Sequence, residues 1–187
     1  MNANAWMMNR MDRKPLETGP FPACPVSTVP ADLREWVNES TLVDWVLEVV
    51  SDLDARLLRL PNWRDTRDPV PVPTMLSVLA YCYATGRYES DEIETLARTD
   101  ETIRYLAANH FVTSMAIRRF RRVHRGLLRS SLLGLHQRAW LHHFGPGATD
   151  ASVRRDEPAA GLDHRLAIAA EAMVQRAVLS DTMAMDL

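Results

Sequence analysis

Apolar residues recur along this chain at helical spacing, and no run alternates over a length that would build a strand. The pattern starts after Asn38-Glu39-Ser40-Thr41, polar residues suited to capping, with Leu42, Val43, Val46, Leu47, Val49, Val50 and Leu53 forming one wide face. Pro69, Pro71 and Pro73 then exclude regular helix and predict an extended connection over Pro61 to Pro73. Thr74 to Thr85 is apolar on most sides, which suits a central helix, and Gly86 supplies a stop. Ser90-Asp91-Glu92 and Asp100-Glu101 each set a cap and acids ahead of an apolar repeat, predicting two short helices in succession. After Asn109-His110-Phe111-Val112, Thr113 or Ser114 caps a long helix that runs to about Phe144, where Gly145-Pro146-Gly147 ends it. A last helical period, Leu162 to Leu179, either docks on the rest or stands apart. The expected fold is all-α: a small bundle with a helix-turn-helix-like pair and one long basic amphipathic helix.

Length and composition fit one core. The chain has 187 residues, 47% hydrophobic and 25% charged, close to globular averages. Residues 1–30 carry Pro15, Pro20, Pro22, Pro25 and Pro30 with Gly19 and read as a disordered leader. Residues 31–144 form the expected helical domain, and 145–187 a linker with the C-terminal helix. No apolar run approaches the roughly 20 residues that cross a bilayer, and Met1 to Pro15 lacks a signal-peptide core, so a cytoplasmic protein without a membrane partner is expected. Cys24 and Cys82 have no Cys-x-x-Cys spacing, and His136, His142 and His143 lack thiol or carboxylate company for zinc. They read as reduced thiols and surface histidines, and no cofactor, metal or small-molecule substrate is expected. Trp36, Trp45, Trp63 and Trp140 read as core or core-edge residues.

Charge changes the picture. The formal net charge is −2, yet from Ile103 to Thr149 there is no Asp or Glu, while Arg104, Arg118, Arg119, Arg121, Arg122, Arg125, Arg129 and Arg138 all fall there. At about 100° per residue, Arg118, Arg122, Arg125 and Arg129 share a sector of roughly 60°, with Arg121 beside it and Ile117, Phe120, Val123 and Leu127 opposite. Packing that apolar side turns the arginines outward, as a stripe on the order of 16 Å long that suits phosphates or guanine edges of a duplex. Two other arrangements fit the same residues: a merely solvated face, or pairing with the acidic helix starts between Glu89 and Glu101, within the fold or in a dimer.

Several segments resemble, in order, the N-terminal domain of InsH-type bacterial insertion-sequence transposases. Leu42 to Asp54 resembles its opening helix. Pro73-Thr74-Met75-Leu76 with Tyr81-Cys82-Tyr83-Ala84-Thr85-Gly86 is similar to its next helix, and Ile93-Glu94 with Arg104-Tyr105-Leu106-Ala107 to a following pair. Ile117-Arg118-Arg119-Phe120-Arg121-Arg122-Val123-His124 is the most specific match, and the likeness covers roughly Ala31 to Leu141. Asp91-Glu92 stand where relatives often carry basic residues, and Val112-Thr113 replace a Pro-Asp turn. The resemblance implies a domain that contacts the ends of a mobile element; the ribonuclease-H-like domain that would hold metal-binding carboxylates has no counterpart after Gly145. The expectation is therefore a transposase-derived protein that binds double-stranded DNA through Arg118, Arg119, Arg121, Arg122, Arg125 and Arg129 without cleaving it. The alternative is a protein-interaction module, a homodimer or a partner that modulates a full-length transposase.

Overall fold

Asn38 opens the first helix by accepting the Thr41 N–H at 2.9 Å, and α1 runs Glu39–Asp52. In the computed structural model, which describes residues 29–53, 70–144 and 160–185, a 3-10 turn at Leu33–Glu35 precedes α1 and six α-helices follow it. These are α2 (Val72–Ala84), α3 (Ser90–Thr99), α4 (Glu101–Leu106), α5 (Ser114–Val123), α6 (Arg125–Phe144) and α7 (Ala160–Met185). No strand occurs among the described residues, only an isolated bridge between Asp32 and Thr85. The protein is a small all-α bundle.

α2 is the central helix because its sequence leaves no polar side to expose. Met75, Leu76, Val78, Leu79, Tyr81, Cys82 and Tyr83 are all fully buried, and α1, α4, α5, α6 and α7 pack around it. Pro73 lies inside its first turn, where a missing N–H costs nothing. The helix ends at Gly86, whose φ of 77° is open to a residue without Cβ. α1 and α6 approach closely at Gly134, where an added Cβ would lie 3.1 Å from Val49 Cγ1. Cys82 is buried within α2 and its thiol is pushed up to about 12 by desolvation, which removes it from redox chemistry near neutral pH.

Two features differ from expectation. The long helix is divided at His124 (φ −114°, ψ 28°), whose ring turns into the core against Phe120 at 4.6 Å. The connection before α5 spans 107–113, longer than the three or four residues of a compact helix-turn-helix. It passes through left-handed backbone at Ala108 and Asn109 (φ 48° and 60°). Of the two arrangements open to the last helical period, α7 takes the docked one. It lies along α6 and touches α5 and α2, with Ala170, Met173, Val174 and Ala177 inside the main core and Leu162 and Leu166 against Trp140. The leader to residue 28, the connection 54–69 and Gly145-Pro146-Gly147 lie outside the described residues.

Candidate nucleic-acid interface

Thr113 sets the start of α5, its hydroxyl accepting the Ala116 N–H at 3.2 Å. The buried side of that helix is Ala116, Ile117, Phe120 and Arg121, continued by His124. On a wheel Arg121 stands about 40° from Ile117 and falls inside this face; Val123 stands about 120° away and falls outside it. Arg121 is therefore 2% exposed, whereas Val123 is 57% exposed. Both corrections follow from one cause: the face that packs is rotated toward Arg121, because α7 covers that side of α5 and brings a carboxylate to it.

The Arg121 guanidinium is fully committed inside the protein. Its Nη1 pairs with Asp181 of α7 and donates to Ala177 O at 3.0 Å, Nη2 donates to Tyr88 O, and Nε donates to the Tyr83 hydroxyl. Desolvation raises the Tyr83 phenol, so the ring stays neutral and accepts. Asp181 also accepts the Ser90 N–H at 3.1 Å and the Ser90 hydroxyl at 2.9 Å, so a residue 91 positions away caps α3. Arg121 joins α2, α3, α5 and α7 and is not available to a phosphate.

The other five arginines divide in two. Arg118 pairs with Asp91 at 2.7 Å and lies 3.8 Å from Asp181, and Arg125 pairs with Glu171 of α7. One of the acidic helix starts thus does meet the arginine face within the fold. Arg122 and Arg129 are exposed and Arg119 is half-buried, and none of the three has an ion pair among the described residues. Phe111, which Arg98 covers at 4.7 Å, and Met115 and Val123 of α5 expose 61%, 68% and 57% of their surface. The ladder across the α5–α6 join is carried by His124: its N–H reaches Phe120 O at 2.8 Å and its carbonyl accepts from Leu128 N at 3.1 Å. The N–H groups of Arg125, Gly126 and Leu127 thus open a new helix, where orphan donors favour negative charge. Gly126 faces open space, with nothing within 4 Å of an added Cβ.

The histidines also divide. His142 and His143 are exposed, and His143 stacks on Trp36 at 4.5 Å. His136, expected on the surface, is 0% exposed on the side of α6 that packs inward, and desolvation pushes its imidazole down to about 4. Among the described residues no group of three His, Cys, Asp or Glu could hold a metal ion. No described helix is long and apolar enough to cross a membrane. Trp140 is buried and Trp36 and Trp45 half-buried; Trp63 and Cys24 lie outside the described residues. Sequence reasoning missed Asp181 and Glu171, the two acids that decide which arginines remain free. The available signal was slight: Asp163, Glu171 and Asp181 are the acids of α7, but nothing local says which helix they face. No protein-family model, no curated protein and no solved structure matches this chain.

Proposed function

We propose that this chain is a transposase-derived DNA-binding protein that grips duplex phosphates through Arg119, Arg122, Arg125 and Arg129 and does not cut. One observation carries this: Arg119, Arg122 and Arg129 reach solvent with no carboxylate within ion-pair distance among the described residues, on a segment that holds no acid of its own. Soluble helix faces interleave acids at four-residue spacing for mutual support, and this one does not. The amide donors at the start of α6 add a local preference for anions. The motif order from Leu42 to His124 supplies the partner, the ends of a mobile element. Arg121 drops out of the contact set and Arg118 contributes little, since Asp91 already pairs with it.

Fluorescence anisotropy with a duplex across a salt series tests this. Four phosphate contacts give a slope of log K against log salt near −3.6, at about 0.9 per contact. Replacing Arg119, Arg122 and Arg129 together by Glu is expected to abolish binding while leaving the helical circular-dichroism signal intact. Duplex binding unchanged by that triple substitution refutes the proposal. Phe111, Met115 and Val123 favour a second reading, a protein-interaction face, which would show salt-insensitive association lost on Met115→Glu.

A further inference from the structure

Glu171 pairs with an arginine of the basic face, Arg125. α7 runs beside α6 and is pinned there by Ala170, Met173, Val174 and Ala177, so its outward residues have fixed positions relative to the first turns of α6. From that platform the Glu171 carboxylate accepts from Arg125 Nη2 and from Gln175 Nε2, the latter at 3.2 Å. The Arg125 hydrogen bond holds this carboxyl below its ordinary range, and the positive charge of Arg129 adds to the effect. One carboxylate therefore feels both arginines. Carboxylate and phosphate oxygens are recognised by guanidinium in the same forked geometry.

Resting on the DNA-binding proposal above, we propose that Arg125 and Arg129 form one phosphodiester seat, and that Glu171 occupies it in the free protein as a built-in competitor. The pair is placed to exchange. The Arg125 side chain is 50% exposed and that of Glu171 27%, in contrast to Arg121 at 2%. Surface pairs of this kind are weakly held and screened by salt, whereas a buried one is not released by a ligand. A phosphate arriving at Arg125 displaces the Glu171 carboxylate into water and keeps the guanidinium satisfied. Arg118 differs: it pairs with Asp91 at 2.7 Å and also lies 3.8 Å from Asp181, a carboxylate it shares with the buried Arg121. Glu171 thus lowers affinity for any duplex and raises the share of binding that must come from contacts elsewhere on the face.

The test is a salt-titrated anisotropy measurement on the full 187-residue chain with a fluorescent duplex of about 20 base pairs. Glu171→Gln, nearly isosteric, is expected to tighten binding about 5-fold near 0.1 M salt at a slope still near −3.6, because the same four phosphates are contacted once the carboxylate no longer competes. The gain is expected to vanish in an Arg125→Gln/Arg129→Gln background. Glu48→Gln makes the same change in net charge on α1, where Glu48 pairs with Arg138, and is expected to alter affinity less than about 2-fold. Binding by E171Q equal to wild type or to E48Q, with wild type itself binding duplex, overturns the proposed seat. A wild-type chain that shows no salt-dependent duplex binding even near 50 mM salt overturns the DNA-binding proposal beneath it, a different result.

Discussion

Replacing Arg121 by Met is expected to be far more damaging than replacing its neighbour Arg122, although the two are equivalent by composition and motif. Arg121 is 2% exposed and its guanidinium serves Asp181, Tyr83, Tyr88 and Ala177. Methionine fills much of the side-chain volume but leaves the Asp181 carboxylate buried with Ser90 as its remaining hydrogen-bond partner and Arg118 at 3.8 Å as its nearest cation. Removing one partner of a buried pair costs about 3–5 kcal/mol, because the other charge stays desolvated. That is a large share of the roughly 5–15 kcal/mol that holds an ordinary domain together. With a urea m-value near 2 kcal/mol per molar, 4 kcal/mol lowers the midpoint by about 2 M. At about 2–4 °C per kcal/mol for a chain of this size, it lowers Tm by roughly 8–16 °C. Arg122→Met, at an exposed site, is expected to stay within about 0.5 kcal/mol. Urea titrations followed by far-ultraviolet circular dichroism compare the two directly. Arg121→Met/Asp181→Leu is expected to recover most of the loss, since an apolar pair needs no desolvated charge. A loss below about 1 kcal/mol for R121M, or one no larger than for R122M, refutes the buried pairing of Arg121 with Asp181 as a stabilising requirement of the fold.

Acid is expected to weaken the fold through His136. Its imidazole is held near 4 in the folded state against 6.5 in the unfolded chain, so the unfolded state binds the extra proton between those values; stability is full above about pH 6.5, has fallen by about 2 kcal/mol at pH 5, and loses about 3 kcal/mol in all by pH 4. Urea midpoints at pH 7 and pH 5 read this directly, and His136→Gln is expected to flatten the difference, leaving only the smaller part due to His124, which burial also lowers. The two glycines of α6 are expected to respond to Ala with opposite signs: Gly126, in open space, gains about 0.5–1 kcal/mol of helix stability. Gly134 gains nothing or loses stability, because the new Cβ meets Val49, a stiff β-branched side chain that is 6% exposed. Thermal melts of the two variants settle both signs, and equal stabilisation would refute the close approach of α1 and α6.

Most of the local structure was legible without coordinates because its causes are local. Asn38, Asp100 and Thr113 each accept an amide hydrogen three residues on, a bond that side-chain type and spacing alone dictate. The all-round apolarity of Thr74 to Thr85 announced a central helix, and the Gly86 stop needed only a residue free to adopt positive φ. The arginine concentration between Arg118 and Arg129 was equally plain, and so was the absence of acids beside it.

What each of those arginines does was decided elsewhere in the chain. A helical wheel places Arg121 midway between an apolar and a polar side, and nothing within α5 says which way it turns. The answer came from Asp181, 60 residues later, whose helix packs across α5 and makes an inward guanidinium affordable. Glu171 likewise separates Arg125 from Arg129, and the burial of His124 and His136 depends on the partners their helices meet. The sequence by itself determined the helices, their caps and a basic segment, since hydrogen bonds and apolar periodicity act over a few residues. Only the tertiary structure determined which of its cations stand free, because charge is neutralised by whatever lies nearest in space, and that is settled by packing.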